Sequence, residues 1–394
     1  MTTPPTVPQI FAAALRLGCT SFGGPVAHLA YFRRDYVERR GWLSDQDYAE
    51  LVALCQFLPG PASSQAGFGI GYRLQGWAGG LAAWVGFTLP SAVLMIGFAL
   101  GLSRLDDLAS SGWLHGLKLA AIAVVAHAVI AMWRALAPDA VRSAFVVVGA
   151  AALLAWPQAW VQVAVLALGA GAGWLALRRD HATAAKSAVE IGSAPGSLRA
   201  SVLLFAGFLV PLLMLPVLAR EATVWPLQLA DTFYRTGALV FGGGHTVLPL
   251  LERELVVPGG ITPDQFLAGY GAAQAMPGPL FTFAGYLGAV QHGVAGGVWA
   301  LAWIFLPGLL LVPVALPVWN RLRQQAAMQA ALRGANATVV GLLLAALLPP
   351  LGTVAGRDWL SALLTLAGFA LLHVPRVPAW AVVLACAAAG AMLA

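Results

Sequence analysis

The sequence predicts an all-α, polytopic transmembrane protein. It has about 13 spans, arranged as two inverted-topology repeats whose helices are broken by Gly and Pro. Three observations predict this. The 394 residues are 60% hydrophobic and only 10% charged, with a mean hydropathy of +0.80, whereas soluble domains carry ~25% charged residues. Apolar runs of ~20 residues, the length a helix needs to cross a bilayer, recur along the whole chain. One short phrase is written twice: Arg16 followed six residues later by Phe22-Gly23-Gly24-Pro25, and Arg235 followed six residues later by Phe241-Gly242-Gly243-Gly244. The absence of alternating ten-residue patterns excludes an outer-membrane barrel.

In order, the apolar segments fall at 9–30, 49–72, 77–103, 113–136, 141–155 and 157–177. The first carries Arg16 and the Phe-Gly-Gly phrase, and the second carries Pro59-Gly60-Pro61. Residues 178–199 hold most of the chain's unbroken polarity and a Pro-Gly pair, as expected of a linker loop. Further segments follow at 200–219, 227–250, 266–290, 294–318, 330–350, 358–373 and 378–394. The expected organisation is an N-terminal repeat over 1–177, a linker over 178–199 and a C-terminal repeat over 200–394, with its motif core at 233–318. Residues 1–9 lack Lys and Arg and hold three Pro, so the first segment is expected to be retained rather than cleaved.

The duplication runs beyond the opening phrase. At an offset of 219, Arg16 and Phe22 overlay Arg235 and Phe241. At 218, Ser44, Tyr48, Gln56 and Pro59-Gly60-Pro61 overlay Thr262, Phe266, Gln274 and Pro277-Gly278-Pro279. At 217, Gly76, Gly79 and Pro90 overlay Gly293, Gly296 and Pro307. Seven segments separate the two phrases, an odd number, so single crossings throughout would make the copies enter from opposite sides. With the N-terminus inside, the even-numbered loops hold 12 cations and the odd-numbered loops 7. The positive-inside rule therefore favours a cytoplasmic N-terminus, although Arg33, Arg34, Arg39 and Arg40 count against it.

Glycines and prolines at membrane depth are costly unless they line a cavity, because every backbone N–H and C=O in lipid needs a partner. A helix restarting after such a break presents free N–H groups of partial positive charge, and these bind anions. Four breaks can bring several such ends to one midplane site. Arg16 and Arg235 occupy the same position in each copy, either to neutralise a divalent anion or to pair structurally. Beyond Pro-Gly-Pro, Ser63 and Ser64 in one copy and Thr282 in the other can donate to an oxyanion or cap a helix. His28 and His245 are candidates for coupling, and Gln56 and Gln274 for gating or bracing; a structural role is the alternative for all four. Lys118 has no counterpart. Glu50, Glu252 and Glu254 look like loop-edge charges. The three Cys are far apart and the seven His scattered, so no disulfide framework, metal site or dithiol centre is expected. The net charge of +6, with 20 of 22 cations Arg, suits cytoplasmic loops facing anionic lipid.

Several phrases together resemble one known family. They are Ser21-Phe-Gly-Gly-Pro-Val-Ala-His28, Gly41-Trp42-Leu-Ser44, the run from Ala49 through Pro59-Gly60-Pro61 to Gln65, Gly86-Phe-Thr-Leu-Pro90, and Phe241-Gly-Gly-Gly-His245 with Leu248-Pro249. They look like the chromate ion transporter (CHR) family in its two-domain form. The second half departs in having Gly244 where the first has Pro25. The resemblance implies a secondary transporter in the bacterial inner membrane that exports chromate, with sulfate as a related oxyanion. It implies antiparallel halves, no cofactor, no metal and no nucleic acid, and the bilayer as the surrounding partner; a homodimer is compatible with it. An oxyanion carrier for which chromate is incidental, and a membrane-embedded enzyme such as a chromate reductase, are the alternatives. Against the enzyme stand the missing cysteine pair, haem or flavin phrase and carboxylate cluster.

Overall fold

The computed structural model describes residues 4–102, 112–156, 159–177, 198–221, 224–241, 244–256, 259–319, 325–374 and 377–393. Nearly all of the linker expected at 178–199, and the candidate residues Gly242 and Gly243, lie outside the described residues. The described residues form fifteen α-helices and no strand. In the first half these are α1 (Val7–Thr20), α2 (Gly24–Phe32), α3 (Asp45–Phe57), α4 (Ala62–Leu102), α5 (Gly112–Leu136), α6 (Ala140–Ala155) and α7 (Ala159–Ala176). Then follow α8 (Leu198–Glu221), α9 (Trp225–Leu239), α10 (Val247–Leu255), α11 (Pro263–Ala275), α12 (Phe283–Ala315), α13 (Ala326–Pro350), α14 (Trp359–Leu372) and α15 (Ala379–Leu393). Among the described residues five helical stretches are long and apolar enough to cross a membrane: 62–102, 112–136, 199–221, 280–318 and 326–355. Four shorter apolar helices accompany them, at 140–155, 160–176, 359–372 and 379–392.

Four of the thirteen apolar segments fold back on themselves. Ser44 caps α3 by accepting the Asp47 amide, and the helix ends before Pro59-Gly60-Pro61. The chain then reverses. Arg73 Nη1 lies 3.3 Å from Asp47 Oδ1, and a Cβ on Gly69 would sit 2.8 Å from the Leu51 side chain. Both pairs are symmetric about Gly60, so α3 and the first arm of α4 form a hairpin with Pro-Gly-Pro at its tip. In the second half Thr262 caps α11, and the Tyr286 hydroxyl donates to the Gln265 carbonyl at 2.8 Å, across a tip at Pro277-Gly278-Pro279. The chain also reverses between α1 and α2 and between α9 and α10. Arg16 on α1 meets Asp35 beyond α2, and Arg235 on α9 meets Glu254 on α10. The helical arms leading into and out of these tips hold at most 16 residues, the longest being α2 with the π-helical stretch Arg33–Arg39 that continues it. At 1.5 Å per residue they are no longer than ~24 Å, less than the ~30 Å hydrocarbon core. The segments 9–30, 49–72, 227–250 and 266–290 are therefore re-entrant hairpins rather than single crossings.

α4 and α12 each turn once more. The backbone leaves helical geometry at Gln75–Gly76 and at His292–Gly293, and Gly71 closes on Gly79 as Gly288 closes on Gly296. The arm beyond each kink is long and apolar enough to cross a membrane. The two crossing arms pack antiparallel: Trp84 meets Phe305 with ring centroids 5.6 Å apart, while the Cβ position of Gly297 lies 2.8 Å from Ile96. Each arm starts at the base of its own hairpins, so the bases of the two halves face opposite sides. The halves are inverted, as expected, but hairpins and not single crossings produce the inversion.

The long helices that follow exchange between halves. Gly116 of α5 closes on Cys386 and Ala387 of α15, and Gly334 of α13 closes on Gly169 and Gly173 of α7. These are the two copies of one contact. Small residues let the backbones approach where lipid offers no hydrophobic drive.

The hairpins also change the charge count. Arg33, Arg34, Arg39 and Arg40 return to the N-terminal side instead of crossing. With α5 to α8 crossing back and forth, nine described loop cations lie on that side: these four with Arg73, Arg134, Arg142, Arg199 and Arg333. Three lie opposite, Arg220, Arg253 and Arg357. The arginine cluster that opposed a cytoplasmic N-terminus now supports it.

Candidate functional site

The four tips grip one another across the repeat. The Gly60 amide donates to the Val240 carbonyl at 2.7 Å, just ahead of Phe241. The Gly278 amide donates to the Ser21 carbonyl at 2.9 Å, just ahead of Phe22. Ser21 and Val240 are aligned, as are Gly60 and Gly278, so one hydrogen bond has been made twice about a pseudo-twofold axis. Gly60 has φ +120° and Gly278 φ +93°, in the left-handed region that other residues avoid. A Cβ would also collide, lying 2.9 Å from Gln65 Nε2 at Gly60 and 2.7 Å from Ser91 Oγ at Gly278. Pro59, Pro61, Pro277 and Pro279 flank these glycines and stop the incoming helices.

Gly23 stands at the N-cap of α2 with Gly24 and Pro25 in its first turn, and Gly244 opens the short 3₁₀ turn ahead of α10. The Phe22 ring lies 5.8 Å from Trp380, and the Phe241 carbonyl accepts from the Thr246 hydroxyl at 2.9 Å. Four helical stretches thus restart at the tips, and each presents N–H groups with partial positive charge toward the centre.

The two arginines do not stand free. Arg16 pairs with Asp35, which is buried and also takes Arg40 Nε at 2.8 Å and Arg39 at 3.5 Å. Arg235 donates to Asp231 at 2.7 Å and grips both oxygens of Glu254, at 2.9 and 3.0 Å. Glu254 is therefore no loop-edge charge but the fixed partner of an intramembrane arginine. Asp35 and Glu254 are also aligned, each 19 residues after its arginine. That shared spacing was the available signal for both acids. The two networks differ in sign: three guanidiniums surround one carboxylate in the first half, and two carboxylates hold one guanidinium in the second. Lys118 is paired too, 3.0 Å from Asp264.

The remaining candidates separate clearly. Thr282 turns its hydroxyl inward on its own break, donating to the Pro279 carbonyl at 2.8 Å. His245 Nδ1 lies 2.7 Å from the Tyr270 hydroxyl, away from the first-half tips. Gln56 is exposed, and Gln274 has a buried Nε2 without a protein partner. His28 is buried, with Nδ1 3.4 Å from Ser63 Oγ and its ring edge-on to Phe87 at 5.3 Å. Sequence reasoning missed Ser21 and Thr88. Their hydroxyl oxygens, with Ser64 Oγ and Gln65 Oε1, are buried near the tips and have no hydrogen-bond partner among the described residues. Leaving a buried polar group unpaired costs ~1–3 kcal/mol, so such a concentration calls for a polar ligand.

Comparison with known proteins agrees with this picture. A family described as "Chromate transporter" matches residues 8–174 and again 227–391. A chromate transport protein of Pseudomonas aeruginosa is 29% identical over 86% of this chain and 80% of its own length. One of Cupriavidus metallidurans is 27% identical over 87% and 82%. An uncharacterized transporter of Methanocaldococcus jannaschii is 24% identical over 86% and 83%. No solved structure matches.

Proposed function

Because the chain belongs to the chromate transporter family, we propose that it carries chromate out of the cytoplasm across the inner membrane as a secondary transporter. The observation that carries this is the reciprocal pair of tip hydrogen bonds, Gly60 to Val240 and Gly278 to Ser21. They gather the breaks at Phe22–Pro25, Pro59–Pro61 and Pro277–Pro279 with the C-terminal end of α9, where an anion can be met by backbone donors away from lipid. The ion-paired Arg16 and Arg235 brace the hairpins and shape the field around that site.

Outward direction follows from charge. Moving one charge across 100 mV is worth ~2.3 kcal/mol, so a dianion leaving a negative-inside cell gains about 4.6 kcal/mol. That supports roughly a 10³-fold gradient without a coupled ion. The cation asymmetry supports a cytoplasmic N-terminus, with the Arg39–Arg40 cluster at the inner mouth to draw anions in.

Chromate flux in proteoliposomes, with potential and pH gradient set separately, tests this. Efflux should accelerate when the lumen is made negative and respond weakly to pH. Chromate flux no faster than in protein-free vesicles would sink it. Sulfate is a tetrahedral dianion of similar shape, and backbone donors do not separate the two. Competition by sulfate in the same vesicles decides whether chromate is the preferred cargo.

A further inference from the structure

The duplication is closer in backbone than in polarity. Around the first-half tips stand Ser21, His28, Ser63, Ser64 and Thr88. Their aligned partners are Val240, Val247, Phe281, Thr282 and Phe305. Four of the five are apolar, and Thr282 satisfies its hydroxyl on its own turn. In the second half the space is filled by rings: Phe281 and Phe305 are buried with centroids 5.9 Å apart, and Phe283 is buried beside them in sequence. Loss of polarity is the ordinary fate of a buried site in a membrane protein that serves no purpose. Its retention in one copy needs a reason.

The elements that carry these groups touch one another. Ser21 holds the Gly278 amide through its carbonyl, and the Cβ position of Gly278 lies 2.7 Å from Ser91 Oγ. Ser91 in turn donates to the Thr88 carbonyl at 3.1 Å. On the other side, His28 contacts Ser63 at 3.4 Å and packs against Phe87, which adjoins Thr88. One contact chain therefore links α1, both first-half tips, the crossing arm of α4 and the second-half tip. Along it Ser21 Oγ, Ser64 Oγ and Thr88 Oγ1 are each more than nine-tenths buried and have no hydrogen-bond partner among the described residues, and the His28 ring is buried beside Ser63. Arg16, the arginine nearest in the chain to Ser21, is engaged by Asp35.

We propose that the oxyanion is bound on one side of the pseudo-twofold axis, by the neutral donors Ser21, Ser64, Thr88 and His28, rather than by the symmetric arginines. Hydroxyls and a neutral imidazole hold a fully deprotonated tetrahedral dianion without neutralising it, which keeps binding weak enough for release. The inference rests on the proposed oxyanion transport and names the groups that select the cargo.

The test uses the purified full chain and two readouts. Sodium chromate should raise the thermal unfolding midpoint of the wild type against a sodium chloride control, and should half-saturate vesicle flux at a similar concentration. The Ser21→Ala/Thr88→Val variant should need at least ~10-fold more chromate in both, the factor one charge-assisted hydrogen bond is worth. Thr88→Ser, which keeps the hydroxyl, should behave as wild type; if the double variant does not fold, Thr88→Val against Thr88→Ser decides alone. Equal chromate dependence in wild type and Thr88→Val, or a wild type that chromate does not stabilise, overturns the proposal. Stabilisation that Thr88→Val loses, in a protein that moves no chromate, keeps the binding site and rejects the transport.

Discussion

The amide of Gly60 lies 2.7 Å from the carbonyl of Val240, although 180 residues separate them in the chain. The contact is tight on every side, because Gly308 and Gln65 also crowd the position a Cβ would take. Gly60→Ala should therefore strain the left-handed backbone and push the tips apart, at a cost of about 1–3 kcal/mol. Gly278→Ala should do the same. Thermal unfolding of each purified variant checks this, and unchanged midpoints would mean that the tips do not need to meet.

The ion networks have different hubs. Asp35 is shared by Arg16, Arg39 and Arg40, whereas Arg235 is shared by Asp231 and Glu254. Asp35→Asn should thus destabilise more than Arg16→Leu, since it leaves three guanidiniums facing one another. In the second half the order reverses, and Arg235→Leu should cost more than Glu254→Gln. Partial exposure of the arginines limits each effect to roughly 1–3 kcal/mol. Ranking the four variants by thermal midpoint tests the hubs; equal losses would rule them out.

Hairpins and single crossings place two residues differently. Arg34 and Val224 are both exposed. With hairpins they face opposite sides of the membrane, and with single crossings they face the same side. In a Cys19→Ser background, Arg34→Cys should react with an impermeant maleimide only from the cytoplasm and Val224→Cys only from outside. Labelling of both from one side would refute the re-entrant topology.

Outside the spans, Asp358 caps α14, accepting the Ser361 amide at 2.7 Å and the Ser361 hydroxyl at 2.8 Å. The amide bond is the largest cause that holds its pKa below the ordinary carboxylate value. A depressed folded pKa means the cap stabilises at pH above the unfolded value near ~4, and the contribution is lost as pH falls through the folded one. The protection of the Leu360 and Ser361 amides, observed exchange measured against the unstructured rate at each pH, should fall on acidification in the wild type and be low at every pH in Asp358→Ala.

Much of this was legible in the chain. Composition and apolar runs set the class, and the offsets from Arg16 to Pro90 exposed the duplication. The hairpins were not legible, because Pro59-Gly60-Pro61 marks where a helix stops and not the direction in which the next one leaves. Asp35 was hidden among Arg33, Arg34, Arg39 and Arg40, where it looked like part of a loop. Ser21 and Thr88 gave no signal at all. A hydroxyl inside a helix, as at Thr88, usually satisfies itself on the preceding turn, and one at a helix end, as at Ser21, usually meets the chain beside it; only the packed structure shows that these two do not.

The reciprocal tips also bear on how the protein is made. When Gly60 enters the membrane, the carbonyl it will bond has not yet been synthesised. At ~5–20 residues per second, Val240 follows roughly 10–35 s later. During that interval the first pair of hairpins must wait in the bilayer with its tip amides unclaimed. Biogenesis therefore has a vulnerable window, in which a chaperone or the insertion machinery has to shield the unfinished half.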